Sequence, residues 1–311
     1  MRLSLCWKQK KVHNEIKNSV GIIAGSGMLP VMLVEYLKQK GQSVFVLALK
    51  GHADKSLFEK DTLLKEVRLG AIGKAFHLLK KNKVKDIVFI GGVKRPSLTE
   101  IYPDFKGLSL LTKLSLKALG DDGLLRLVIK EVENQGFNVK GIHELMPEVL
   151  VPKGVLTIQK PTKLDFSDIQ RGFFVAKLLG QADVGQAVIV QQGMVLSLEG
   201  IEGTKALIER TKQLKRKGQG GVLVKVVKPN QEKRIDMPTI GPDTVQSVYN
   251  SGLKGIAVDA DNVLLAEPEK TISLADKLNI FIVGIDHNEQ NREKTFKKND
   301  KKIKCKRNVK K

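Results

Sequence analysis

Ser19-Val20-Gly21-Ile22-Ile23-Ala24-Gly25-Ser26-Gly27-Met28-Leu29-Pro30 is the stretch that decides the architecture of this chain. Its first half is an unbroken apolar run, the pattern of a parallel strand covered on both faces. A glycine turn follows, then an amphipathic helix to about Lys40, which Gly41 ends as a left-handed cap. Ser43 to Leu49 reads as a second apolar strand. Strand, glycine turn, helix and strand open a Rossmann-like unit. Free amides at a helix start suit a phosphate, so Gly25, Ser26, Gly27 and Met28 are candidate phosphate contacts, with a purely structural tight turn as the alternative. A nicotinamide cofactor is discounted. Pro30 stands where the dinucleotide fingerprint has its third glycine, and Lys50-Gly51 stands where its ribose-binding acid belongs.

Further along, Gly73 to Lys83 predicts a helix and Lys85 to Gly91 a strand that runs out at Gly91-Gly92-Val93-Lys94-Arg95-Pro96. Ligands of open α/β sheets gather outside the carboxyl ends of strands. Gly92, Val93, Lys94 and Arg95 are therefore candidates to hold a diphosphate, the arginine in forked fashion; a solvated basic pair is the alternative. Leu108 to Leu119 predicts a helix, and Gly120-Asp121-Asp122-Gly123 the start of another, from Leu124 to Gln135. Asp121 and Asp122 offset the helix dipole there and are also placed to reach a divalent cation. Phe137 to Ile142 predicts a strand with His143 as a structural residue at its end. A partial likeness to two-metal phosphoesterase motifs around Gly120 to Glu144 fails. Leu125 and Ile142 replace the required Asp and Asn, and five histidines are too few for an imidazole-rich dinuclear site.

The second half changes character. Ser167 to Leu179 predicts a helix, and Ala187 to Leu198 a hairpin turning at Gln191-Gln192-Gly193. Glu199-Gly200-Ile201-Glu202-Gly203-Thr204 opens a helix to Lys217; its acids suit a metal, sugar hydroxyls or simply a helix start. Gly221 to Lys228 predicts a central strand, after which Arg234-Ile235-Asp236-Met237-Pro238-Thr239-Ile240-Gly241 holds one carboxylate between a rigid proline and a basic approach that includes Lys225 and Arg234. Such an acid suits a metal or phosphate site, and a solvated loop residue is the alternative. A helix from Asp243 to Ser251, a hairpin around Asp259 to Asn262, a helix from Thr271 to Leu278 and a strand from Ile280 to Ile285 complete the pattern.

The chain has 311 residues, two cysteines in polar tails, and a net charge of +21. No apolar run is long enough to span a membrane, and Met1 to Ser19 lacks the apolar core of a secretory signal, so the cytoplasm is the expected address. The tail from Arg292 to Lys311 carries eleven basic residues against two acids. That charge suits an anionic substrate or an anionic membrane face; aromatic residues are scarce for stacking on bases, so nucleic acid is not expected as a partner. No Ser-His-Asp or Cys-His set and no Walker lysine motif is present. Glycine turns, basic residues and loop acids instead suit a phosphorylated substrate held with a hard cation, Mg²⁺ above all. A Rossmann-type oxidoreductase is the alternative function.

Ile23 to Pro30, Gly92 to Pro96, Gly120-Asp121-Asp122, Asp183-Val184-Gly185-Gln186, Glu199 to Thr204 and Arg234 to Gly241, in that order, resemble one family. It is the Mg²⁺-dependent UDP-2,3-diacylglucosamine pyrophosphatase family of lipid A biosynthesis, unrelated to the metallophosphoesterases. The resemblance covers about Val20 to Asp286 and departs modestly, with Ser26 where members often have glycine and Lys94 within the basic turn. It implies hydrolysis of the lipid-linked UDP-sugar to 2,3-diacylglucosamine 1-phosphate and UMP, two α/β domains closing on the lipid, and a peripheral place on the cytoplasmic face of the inner membrane. Asp236 matches the family's essential Asp, as catalytic residue and metal contact. Gln186, Gly203, Thr204, Lys225, Arg234, Thr239 and Asp122 join the two glycine turns as expected substrate contacts. The expected layout is a basic extension over 1–19, a Rossmann-like domain over 20–146, a linker over 147–154, a catalytic α/β domain over 155–286 and a basic tail over 287–311.

Overall fold

A computed structural model describes residues 19–93, 103–104, 107, 121–218, 220–229 and 231–286; the side chains of Asp121, Asp122 and Leu124 lie outside that description. The described residues form an α/β fold with two large sheets, each covered on both faces, and a separate two-stranded pair.

The first sheet is wholly parallel. It holds β1 (Ser19–Ala24), β2 (Val44–Leu49), β3 (Leu64–Val67), β4 (Val84–Ile90) and β5 (Asn138–Lys140) in the order β3-β2-β1-β4-β5. Alternation along the strands sends Val20, Ile22, Val46 and Val88 to one face, under α1 (Leu29–Gln39). It sends Phe45, Leu47 and Ile87 to the other, with Phe76 of α2 (Ile72–Lys81) and Ile129 and Val132 of α3 (Asp121–Asn134). Pro30 occupies the first turn of α1, where a missing N–H costs nothing, and Gly41 at φ +70° ends it. The strand order reverses between β1 and β4, so the crevice outside their carboxyl ends is the natural ligand site of this sheet.

The second sheet is mixed, in the order β6-β13-β11-β9-β7-β8. β9 (Val222–Lys225), β11 (Gly255–Asp259) and β13 (Phe281–Ile285) are parallel; β6 (Gly154–Val155) runs against β13, and β7 (Ala187–Gln191) lies antiparallel to both β9 and β8 (Met194–Leu198). α5 (Lys163–Gln181) covers one face through Ile169, Phe173 and Ala176. The other face packs on α6 (Gly203–Leu214), α7 (Pro242–Asn250) and α8 (Pro268–Lys277). Gln192 and Gly193, at φ +51° and +75°, give the β7–β8 hairpin a turn that matches strand twist.

Several expectations are corrected. The segment after β11 does not fold back as a hairpin, because β9 and β13 already occupy both edges of that strand; β12 (Leu264–Leu265) instead pairs in parallel with β10 (Thr239–Ile240). α5 starts at Lys163 because Thr162 caps it: Thr162 Oγ1 accepts from the Asp165 amide, and Asp165 accepts from the Thr162 amide. His143 sits inside a short helix, α4 (Ile142–Leu145), rather than at a strand end. The segment expected as a linker, 147–154, lies at the surface at Pro147, Glu148, Pro152 and Lys153 and is pinned by two buried valines, Val149 (1 % exposed) and Val151 (0 %), by Leu150 to Leu264 and by the Val151 amide to the Val263 carbonyl. The expected helix from Leu108 to Leu119 and both basic tails lie outside the described residues.

One apolar cluster joins the two sheets. Leu29, Leu33 and Ile22 of the first meet Met237 and Leu264 of the second, with Val149 between them in the chain.

Candidate functional site

The glycine turns that follow β1 and β4 interlock. The Ser26 amide donates to the Gly92 carbonyl at 2.8 Å, the Gly92 amide returns a bond to the Ser26 carbonyl at 2.9 Å, and Ser26 Oγ donates to the Gly92 carbonyl at 3.0 Å. The approach leaves no room for side chains. A Cβ on Gly25 would stand 2.5 Å from the Gly92 oxygen, and Gly91 holds φ +98°. Because the Ser26 amide is spent on Gly92, the donors left for a ligand are those of Gly27, Met28 and Leu29 at the start of α1, which has no side-chain cap.

Facing these turns, across a cleft of about 290 Å³, lies the loop after β9. Ser26, Gly27, Met28, Leu29, Gly91 and Gly92 line one wall; Lys233, Arg234, Asp236, Met237 and Thr239 line the other. Asp236 is half-buried. Its backbone amide donates to the Glu232 carbonyl at 3.0 Å, and its Oδ2 accepts from Gln231 Nε2 at 2.6 Å, which leaves Oδ1 without a protein partner among the described residues.

Behind Asp236, at the carboxyl end of β9, Lys225 is buried and donates to the Thr239 carbonyl at 3.0 Å. Burial holds its ammonium below the ordinary lysine value, while the charges of Glu199 and Asp236 pull it back up. Glu199 is itself buried between the Gln186 amide (2.9 Å) and Thr204 Oγ1 (2.5 Å). Gln186 Oε1 is buried without a hydrogen-bond partner among the described residues. Gly203, at φ +78°, lets the chain turn into α6 beside this group. Thus Gln186, Gly203, Thr204 and Lys225, scattered in the sequence, form a polar cluster next to the Asp236 loop.

Arg234 is engaged by carboxylates. Its Nε and Nη2 donate to the two oxygens of Glu232, each at 2.9 Å, and its Nη1 to Glu133 Oε1 of α3 at 2.9 Å. These bonds raise the guanidinium further above its ordinary value, and the arginine holds the Glu232 carboxyl below the usual range. Val93 is exposed just beyond the cleft wall. Lys94, Arg95 and the Asp122 side chain lie outside the described residues. Sequence reasoning missed Gln231, Glu232 and Glu133; a polar side chain whose partner is set by the fold has no spacing signature.

No group of three or more His, Cys, Asp or Glu suited to a metal occurs among the described residues. One free carboxylate oxygen on Asp236 fits a different arrangement, in which a hard cation takes one protein carboxylate and fills its shell with phosphate oxygens and water.

Two family models match the chain: the LpxI N-terminal domain over residues 19–149 and the LpxI C-terminal domain over residues 152–283. UDP-2,3-diacylglucosamine pyrophosphatase LpxI of Caulobacter vibrioides is 37% identical over 278 residues, which cover 87% of this chain and 99% of the relative.

Proposed function

The chain belongs to the LpxI family, and from that premise we propose that it hydrolyses the pyrophosphate bond of UDP-2,3-diacylglucosamine. Water adds to phosphorus, the bridging P–O bond breaks, and the products are 2,3-diacylglucosamine 1-phosphate and UMP. The observation that carries this reading is the shared cleft. Phosphate-suited amides of one sheet face the Asp236 carboxylate of the other across a single cavity.

In this reading the amides of Gly27, Met28 and Leu29 and the positive end of α1 bind phosphate oxygens. Asp236 would hold Mg²⁺ together with substrate phosphates and water, supplying charge neutralisation as the P–O bond breaks. Lys225 stands beside Asp236, and its Thr239 bond fixes the strap of chain that follows. Gln186, with its unpaired Oε1, and the Glu199–Thr204 pair offer hydrogen bonds to the substrate's polar groups. Arg234 is assigned to shaping the Asp236 loop, since Glu232 and Glu133 take its donors. Lys94, Arg95, Val93 and Asp122 keep their place as proposed contacts on sequence grounds alone.

No helix among the described residues is long and apolar enough to cross a membrane. The proposed substrate is an amphipathic lipid, so we also assign the protein a peripheral contact with an anionic membrane surface, supported by its net charge of +21. No feature of the cleft favours the oxidoreductase alternative. The test is direct: purified protein is given the lipid-linked nucleotide with and without Mg²⁺, and release of UMP is measured.

A further inference from the structure

Asp236 belongs by chain order to the second sheet, yet the side chains around it are fastened to the first. Ile235, its neighbour on one side, packs on the cluster that contains Phe45, Leu47, Val132 and Phe137. Met237, on the other side, packs with Ile22, Leu29 and Leu33. Two residues before Asp236, Arg234 bonds Glu133 on α3, and Arg126, seven residues earlier on the same helix and so on the same face, acts on Glu232 through its charge. Glu232 in turn accepts the Ile235 and Asp236 amides on its carbonyl (3.1 and 3.0 Å) and Arg234 on its carboxylate. The tight turn that aims Asp236 is therefore locked by a chain of bonds that begins on α3.

We propose that Glu133 is a positioning residue for the reaction: through Arg234 it fixes the 232–236 turn against the first domain, so that the Asp236 carboxylate faces the Gly27–Leu29 amides. The proposal rests on the catalytic role of Asp236 given above, but its structural half stands alone. Glu133 touches no reacting atom, and 45% of its side chain is exposed, so its loss leaves the fold intact. It also explains why a loop with only two residues of regular strand, Thr239–Ile240, holds an acid in register with a sheet it does not belong to.

Two readouts test it. Hydrogen exchange at the Ile235 and Asp236 amides is compared between wild type and Glu133→Gln; an exposed ion pair of ordinary strength predicts exchange about fivefold faster in the variant. In turnover, Glu133→Gln lowers kcat by a similar factor with little change in KM. Salt near 1 M, where screening acts over about 3 Å, brings wild type down to the variant and leaves the variant unchanged. Adding Glu133→Gln to Arg234→Gln has no further effect on either readout. Unchanged exchange in Glu133→Gln, or full additivity of the two substitutions, overturns the proposal. If Asp236→Ala kept turnover, the catalytic reading would fail instead, and the exchange comparison would still decide whether Glu133 locks the turn.

Discussion

Replacing Gly25 by alanine adds one methyl group at the tightest point of the cleft. The new Cβ would lie 2.5 Å from the Gly92 oxygen and 2.7 Å from the Gly91 oxygen, both backbone atoms that no side-chain rotation can move. Reaching an ordinary contact near 3.4 Å requires the two turns to part by close to 0.9 Å. That displacement breaks or bends the two Ser26–Gly92 backbone bonds, each contributing about 1 kcal/mol, and adds overpacking of about 1 kcal/mol. The total of roughly 3 kcal/mol corresponds to a fall in Tm of about 6–12 °C. The catalytic cost is larger, because a shift of about 1 Å between phosphate amides and Asp236 lowers turnover by about 100-fold. Gly27→Ala is the control: among the described residues no atom beyond its chain neighbours lies within 4 Å of its Cβ, so it adds the strain of φ +94°, about 1–2 kcal/mol, without parting the turns. Thermal melting followed by circular dichroism and UMP release would be measured on both. A Gly25→Ala protein that melts and turns over like wild type would refute the reasoning.

Other outcomes follow from the same geometry. Asp165 is 2% exposed and accepts from the Thr162 amide and hydroxyl (both 2.7 Å) and from Lys254 (3.1 Å). Asp165→Ala should cost about 3 kcal/mol by uncapping α5 and stranding the lysine, with KM unchanged; a Tm equal to wild type would contradict it. Glu232 is held below its ordinary value of 4.5, chiefly by its bonds from Arg234. A depressed carboxyl adds stability that is full above that ordinary value and is lost as pH falls through the lowered one. The Tm gap between wild type and Arg234→Met, worth up to about 1 kcal/mol near neutrality, should therefore close in acid below pH 4.5; a gap that widens there would reverse the sign of the linkage.

The first sheet was legible because β1, α1 and β2 carry their own signals: an apolar run, a glycine turn, Pro30 at the helix start and Gly41 at its end. The β7–β8 hairpin was legible for the same reason, in Gln192-Gly193. β3 was not, since Leu64-Lys65-Glu66-Val67 is a half-exposed edge strand with charge in its middle. β10 and β12, two residues each, form only because their partners meet across the fold. Thr162 and Asp165 did carry a capping signal, which the apolar period that follows them obscured. Within the cleft, the residue types were readable and their pairings were not. A basic side chain at Arg234 looks free to meet phosphate until Glu133, 101 residues earlier, is found bonded to it. Spacing alone does not connect Lys225, Glu199 and Gln186, which only the family resemblance grouped; β7, β8 and β9 bring them together by aligning their ends.

Asp236 is proposed to support Mg²⁺-dependent cleavage of the pyrophosphate in the cleft between the two sheets. The most direct measurement is UMP release from UDP-2,3-diacylglucosamine by wild type and Asp236→Asn, each with Mg²⁺ and with a chelator. Turnover is expected to disappear with the chelator and to fall about 100-fold or more in Asp236→Asn, with the variant melting like wild type. Wild-type turnover by Asp236→Asn, with the same metal dependence, would contradict it.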